Sequence, residues 1–356
     1  MRKRRYRKKS ALKKFLIAFF VIIILGGGGL VYELYSRVYQ TNILFTKDAA
    51  EKYIYIPTNS DFSQVVTILS ENGLLLNINS FEWLAKQKKY NTNIKPGRYR
   101  IDRALNNNEL VNLLRSGAQT PIRVTFNNLR TKEELAGKVG SQIEADSLSI
   151  IGYISDILFQ KKLGLTDDNI ACIFLPNTYE FYWNTSAEEF ANRMLDEYSS
   201  FWHPGRKEQA DNIKLNYHEV SILASIVEKE QSVKLDERSD IAGLYLNRLK
   251  KGMKLQSDPT VIFAIGDFSI RRVLKKDLKF VSPYNTYMNT GLPPGPICLP
   301  SINAIDAVLN AVENDYLFMC AKEDFSGYHN FARNSREHSR NAKKYRRALN
   351  KRKIMR

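Results

Sequence analysis

The chain has 356 residues, 44% hydrophobic and 26% charged, which supports one or two packed cores and excludes a disordered protein. The formal net charge is +17, yet residues 1–14 alone carry +9 and residues 333–356 carry +10, so the body between them is left near −2. A nucleic-acid binder needs a basic face on the folded domain itself, and this body lacks one.

Residues 15–32 (FLIAFFVIIILGGGGLVY) are eighteen uncharged positions in a row. At a helical rise of about 1.5 Å per residue they just cross a bilayer core of about 30 Å. The run exceeds the h-region of about 7–15 residues in a cleaved signal peptide. Neither an A-x-A site nor a lipobox Cys follows it, so an uncleaved anchor is expected. Gly26–Gly29 either serve close helix packing or loosen the helix. The nine preceding cations keep the N-terminus in the cytoplasm, which puts everything after about residue 33 outside it, at the plasma (inner) membrane.

Residues 33–50 read as a spacer. YIYIP (53–57) alternates like a strand, and Asn59 or Ser60 is placed to cap a helix through Val65, Val66, Ile68 and Leu69 to Gly73. A second helix carries Phe81, Trp83 and Leu84, KPGRYRI (95–101) reads as turn and strand, and Asn107 opens a helix that ends at Gly117. The first four elements, β-α-α-β, resemble a LysM-type module, which implies glycan binding by 51–118. PIRVTF starts a new region at 121, where Thr131 and Glu134 form a capping box. The expected class is therefore α+β: one transmembrane helix, a small LysM-like βααβ module, and a mainly helical catalytic domain with a few strands over 119–345. A basic tail over 346–356 ends the chain, as a helix end or as disordered chain.

Cys172, Cys298 and Cys320 are odd in number with no CxxC pair, and the four His residues lack ligand spacing. No disulfide framework, metal site or cofactor is expected.

The most informative stretch is HEVSILASIVEKEQ (218–231). With Leu223 at zero, Ile226 falls at about 300°, Val227 at about 40° and Glu230 at about 340° of helical rotation. Glu230 thus points into an aliphatic face, whereas Glu228, at about 140°, faces the wetter side. A carboxyl buried among aliphatic side chains stays protonated to higher pH, as a general acid requires. The competing reading pairs Glu230 with Arg238 or Arg248 in the core.

IVEKE (226–230), ERSDIAGLYLNRL (237–249), GMKLQSDPTVIFAIG (252–266), PYNTYMNTGLPPGPI (283–297) and HNFARNSREHSRN (329–341) are similar, in order and spacing, to the MltG/YceG-like endolytic murein transglycosylases. FLPNTYEFYWNTS (174–186) fits the same pattern; FNNLR (126–130) and the strongly basic end depart from it. The resemblance makes Glu230 the catalytic residue. It implies non-hydrolytic cleavage of the β-1,4 bond between N-acetylmuramic acid and N-acetylglucosamine within nascent strands, leaving 1,6-anhydromuramoyl ends. It also implies partners among peptidoglycan synthases or division proteins. Gln256, Asp258, Tyr284, Asn285, Tyr287 and His329 are candidate substrate contacts, with capping the alternative for Asp258, loop-locking for Tyr284, Asn285 and Tyr287, and a structural hydrogen bond for His329. Asn289, Gly291, Pro293, Pro294 and Gly295 are expected to set a rigid cleft wall. Two other readings stay open: a hydrolase pairing Glu230 with Asp258 or Glu228, and a non-catalytic wall-binding or division-scaffold protein.

Overall fold

A computed structural model describes residues 3–43 and 51–352, without the side chains of 3–11. The chain divides into two compact units, Met1–Ile122 with Phe181–Asn184, and Arg123–Glu180 with Thr185–Arg356.

In the first unit, helix α1 (Lys3–Tyr39) runs unbroken through the four glycines and past the apolar run at both ends, into the stretch read as spacer. Its segment Leu12–Tyr39 has mean hydropathy 2.5 and is long and apolar enough to cross a membrane. A Cβ added at any of Gly26–Gly29 would meet nothing within 4 Å, so these glycines pack against none of the described residues. Beyond α1 come β1 (Thr41–Ile43), β2 (Lys52–Ile56), α2 (Phe62–Glu71), α3 (Ile78–Gln87), β3 (Gly97–Ile101), β4 (Leu105–Asn106) and α4 (Asn107–Ser116). The rest of the expected spacer, 44–50, lies outside the described residues. β2 pairs antiparallel with β3, and the strand alternation turns Ile54, Ile56, Tyr99 and Ile101 into a core shared with Val65, Leu69, Phe81 and Leu110.

The cap of α2 differs from expectation. Asp61, not Asn59 or Ser60, closes a capping box with Gln64, while Asn59 takes a positive φ of 65° in the preceding turn. The end of α1 is tied down by a buried amide network. The Asn107 amide donates to Arg37 O (2.8 Å) and Ser80 Oγ (2.9 Å), and the Asn42 amide donates to Asn107 Oδ1 (2.7 Å).

The second unit continues β5 (Ile122–Phe126) into α5 (Lys132–Gly140), α6 (Ser147–Ile154), α7 (Ile157–Leu163), β6 (Asn177–Phe181), α8 (Ala187–Phe201), α9 (Pro204–Asn212) and α10 (Tyr217–Glu230). Then follow α11 (Arg238–Lys250), α12 (Asp258–Ile265), α13 (Ile302–Leu309), β7 (Phe318–Ala321), β8 (His329–Ala332) and α14 (Ser335–Lys351). The part of the basic tail through Lys351 is thus helical; 353–356 lie outside the described residues. At α5 only half of the expected capping box forms. Thr131 accepts from Glu134 N, but the Glu134 carboxylate takes the N–H of Arg130 rather than that of the cap residue. The architecture is a mixed, helix-rich α+β protein, and the strands among the described residues form four two-stranded sheets.

α10 is the axis of the second unit. Every residue from Val220 to Val227 is buried, and α11, α12 and α13 pack around it. Ser221 and Ser225 keep the helix thin enough for the 297–299 segment to lie on it, with Ile297 N donating to Ser225 Oγ (3.0 Å). α11 is held against the 312–316 segment, where the Asn247 amide donates to Asn314 O (2.7 Å) and Tyr316 O (3.1 Å). Gly243 makes this approach possible, since a Cβ there would lie 2.2 Å from Val312 O. Gly243→Ala is expected to cost about 1–3 kcal/mol through overpacking. Urea denaturation checks this, and an unchanged midpoint would show that the segment yields freely.

Candidate active site

α10 ends at Glu230, the last helical residue, and Gln231 leaves the helix with extended backbone (φ −133°, ψ 90°). The helix is apolar all round rather than on one face, so its carboxyl emerges directly from the core. Glu230 Oε1 accepts two hydrogen bonds from neutral hydroxyls, Tyr245 Oη at 2.7 Å and Ser257 Oγ at 2.5 Å. Among the described residues no donor reaches Oε2.

Burial pushes the Glu230 carboxyl up from the usual range, the two hydroxyls pull it partly back, and the nearby Asp258 adds to the rise. The negative end of the helix dipole acts in the same direction as burial. Tyr245 is itself pushed well up by burial and by Glu230, so it stays a donor.

No cation pairs with Glu230 among the described residues. Arg238 donates to Gln231 O, Ser301 Oγ and Asn303 Oδ1, and Arg248 donates to Leu317 O, Lys254 O and Leu255 O. The core ion pair weighed as the competing reading is absent there. Glu228 also departs from expectation. It is half-buried rather than on a wet face, and its Oε2 accepts from both the backbone N–H and the hydroxyl of Ser301 (2.7 Å each) at the start of α13.

A pocket of about 240 Å³ opens at Glu230, and Gln256, Asp258, Tyr287 and His329 line it together with Tyr245 and Arg248. Asp258 is not a cap. It is the first residue of α12, ahead of Pro259, and its Oδ1 accepts the Tyr287 hydroxyl at 2.6 Å. Gln256 takes a positive φ of 54°, with its N–H bonded to Thr286 O.

Tyr284 and Asn285 stand elsewhere. The Tyr284 hydroxyl donates to Asp168, and the fully buried Asn285 amide donates to Leu278 O and Phe280 O, which locks the loop. The 289–295 stretch does not line the pocket. Gly295 instead lets the backbone run against Asp168, where a Cβ would lie 1.8 Å from Asp168 O.

Sequence reasoning missed three contributors. Tyr245 and Ser257 bond the carboxyl, and Thr286 fixes Ser257 by accepting its N–H at 3.0 Å. The last two lie in the middle of QSDPT and PYNTY, whose flanking polar residues drew the attention instead.

Fold and site thus define a helix-rich α+β protein with a carboxyl raised by burial and held by two neutral hydroxyls in a small polar pocket. The profile of the YceG-like family matches residues 54–344. The endolytic murein transglycosylase of Bacillus subtilis is 31% identical over 308 residues, covering 82% of this chain and 84% of that protein. Its counterpart in Streptococcus pneumoniae is 29% identical over 328 residues, 82% of this chain and 58% of that protein. The crystal structure of a yceG-like protein from Listeria monocytogenes matches with a TM-score of 0.55 and 28% identity, over 82% of this chain and 98% of that one. The chain belongs to the YceG-like family.

A carboxyl whose folded pKa is raised stabilises the fold below the ordinary carboxylate range and loses that contribution as pH climbs toward the folded value. Glu230→Gln removes this dependence. The variant is expected to gain stability relative to wild type as pH rises from 4 into the neutral range, by about 1.4 kcal/mol per unit of raised pKa. Parallel melts across pH check this; a constant difference would mean that folding does not shift the carboxyl's pKa.

Proposed function

We propose that this chain is an endolytic lytic transglycosylase that cuts the β-1,4 bond between N-acetylmuramic acid and N-acetylglucosamine in nascent peptidoglycan. One observation carries the reading: Glu230 has Oε1 held by two hydroxyl donors, and among the described residues neither a cation pairs with it nor a donor reaches Oε2. A carboxyl so placed can keep a proton on Oε2 and deliver it into the pocket. The Bacillus and Streptococcus relatives, endolytic murein transglycosylases, support this substrate class, although the chain spans only 58% of the pneumococcal protein's length.

In this mechanism Glu230 protonates the bridging oxygen, the C1–O bond breaks, and the C6 hydroxyl of the same muramoyl sugar closes onto C1. Glu230, then a carboxylate, is the simplest acceptor of the C6 proton, and the product is a 1,6-anhydromuramoyl end. Because the nucleophile is tethered to the reacting carbon, neither a bound water nor a second carboxylate at C1 is needed. Gln256, Asp258, Tyr287 and His329 are the groups proposed to contact the sugars.

Residues 119–345 are assigned to the catalytic domain, and 51–118, with its β-α-α-β start, to a LysM-like glycan contact. α1 would anchor the chain in the plasma membrane with its N-terminus cytoplasmic and the site outside. There an enzyme that cuts within strands would release chains still attached to peptidoglycan synthases or division proteins.

Asp258 is the other carboxylate in the pocket, so a two-carboxylate hydrolase is the reading to test against. Incubation with peptidoglycan and mass spectrometry of the fragments separates them: anhydro ends from wild type and none from Glu230→Gln support the lyase, and reducing ends refute it. Glu228→Gln, at the carboxylate that bonds Ser301 at the start of α13, is expected to keep product formation and lose about 0.5–2 kcal/mol of stability. Activity lost with stability kept would reassign Glu228 to the chemistry.

A further inference from the structure

His329 enters the pocket from the first position of β8, opposite Ala321 of β7. Its surroundings are unusually specific. Glu237, only 5% exposed, accepts the His329 backbone N–H through Oε1 (2.7 Å) and meets the ring Nδ1 through Oε2 (2.7 Å). The Gln231 amide donates to the same Oε2 at 2.6 Å and to Gly327 O at 3.0 Å, which ties the residue after Glu230 to the turn before His329. Burial alone would raise the Glu237 carboxyl, but these donors outweigh it and hold it below its usual range. An ionised carboxylate only accepts hydrogen bonds, so Nδ1 must be the donor toward Glu237. In the neutral ring the lone pair then sits on Nε2.

We infer that His329 is a second catalytic residue: its Nε2 accepts the hydrogen bond of the muramoyl C6 hydroxyl and takes the proton as that oxygen bonds to C1, while Glu237 acts as the positioning residue that fixes the ring and its tautomer. This rests on the transglycosylase reading and divides between two residues what the simplest mechanism gives to Glu230 alone. The proton on Glu230 Oε2 goes to the bridging oxygen, and the C1–O bond breaks with its electron pair leaving on that oxygen. The C6 oxygen forms the new bond to C1, and its proton passes to Nε2. The imidazolium then gives up a proton to solvent and Glu230 regains one, so no water is consumed and no net charge changes.

The charged or titratable groups that share the pocket with the imidazole are Glu230, Tyr245, Arg248, Asp258, Tyr287 and Cys320, and Glu237 meets its Nδ1. Arg248 is engaged by carbonyl oxygens and Asp258 Oδ1 by the Tyr287 hydroxyl, whereas the imidazole is oriented by Glu237 from its Nδ1 side.

The test uses the full chain in detergent with intact glycan strands, and anhydromuropeptide release as the rate. His329→Gln is expected to lower kcat by about 10²–10⁴ with KM within a few-fold. Glu237→Gln, which offers an amide donor to Nδ1, is expected to lower kcat while keeping the imidazole. Wild-type kcat in His329→Gln would overturn the inference. If Glu230→Gln is inactive in that case, the transglycosylase reading survives; if Glu230→Gln is itself active, that reading fails first. A measurement on the unaltered protein guards against misfolded variants. Nitrogen NMR of the four histidines should show His329 protonated at Nδ1 and bare at Nε2 in the active pH range. A ring protonated at Nε2 there would equally refute it.

Discussion

The site depends on the desolvation of one carboxyl. α10 is buried on every side along its middle, and its last residue carries the half-buried Glu230 from that core to the pocket, where burial disfavours a full negative charge. Hydrogen bonds to an ionised carboxylate would normally restore the charged form, and a cationic partner would do so more strongly. The structure supplies two neutral hydroxyls, both on one oxygen. That choice orients the group without ionising it and leaves the other oxygen for chemistry.

α11 organises most of what surrounds that carboxyl. Glu237 lies just ahead of it, Tyr245 and Arg248 face the pocket from it, and Gly243 lets the 312–316 segment close against its other side. Arg248 spends its guanidinium on the carbonyls of Leu317, Lys254 and Leu255, so the strongest cation nearby joins the start of β7 to the turn before α12 rather than neutralising Glu230. Arg238 is similarly spent on Gln231 O and the start of α13. Both arginines are structural ties, which is why the carboxyl among them remains unpaired.

The polar motifs work in pairs across the chain. QSDPT and PYNTY meet through Thr286, which bonds the backbone of Gln256 and Ser257, and through Tyr287, which bonds Asp258. EKEQ and the His329 strand meet through Gln231 and Glu237. Each pair brings together segments separated by tens of residues, so disrupting one partner disturbs the other. The family's separated motifs therefore form one connected polar shell around a single acid.

Local order was legible in the sequence because it depends on neighbours a few residues apart. The apolar run defined α1, strand alternation gave β2 and β3, Gly73 and Gly117 marked helix ends, and 3.6-residue periodicity set Glu230 beside Leu223, Ile226 and Val227. Small shifts in the caps, Asp61 for Asn59 or Ser60, show the limit of that reading, since several adjacent polar residues compete for the same N–H groups. What only the tertiary structure decided was the partner of each charge. Arg238 and Arg248 were as eligible as any cation to neutralise Glu230, and Glu228 was as eligible a carboxylate. Which pairs form depends on segments up to about a hundred residues away, whose approach is fixed by packing around α10 and not by spacing along the chain.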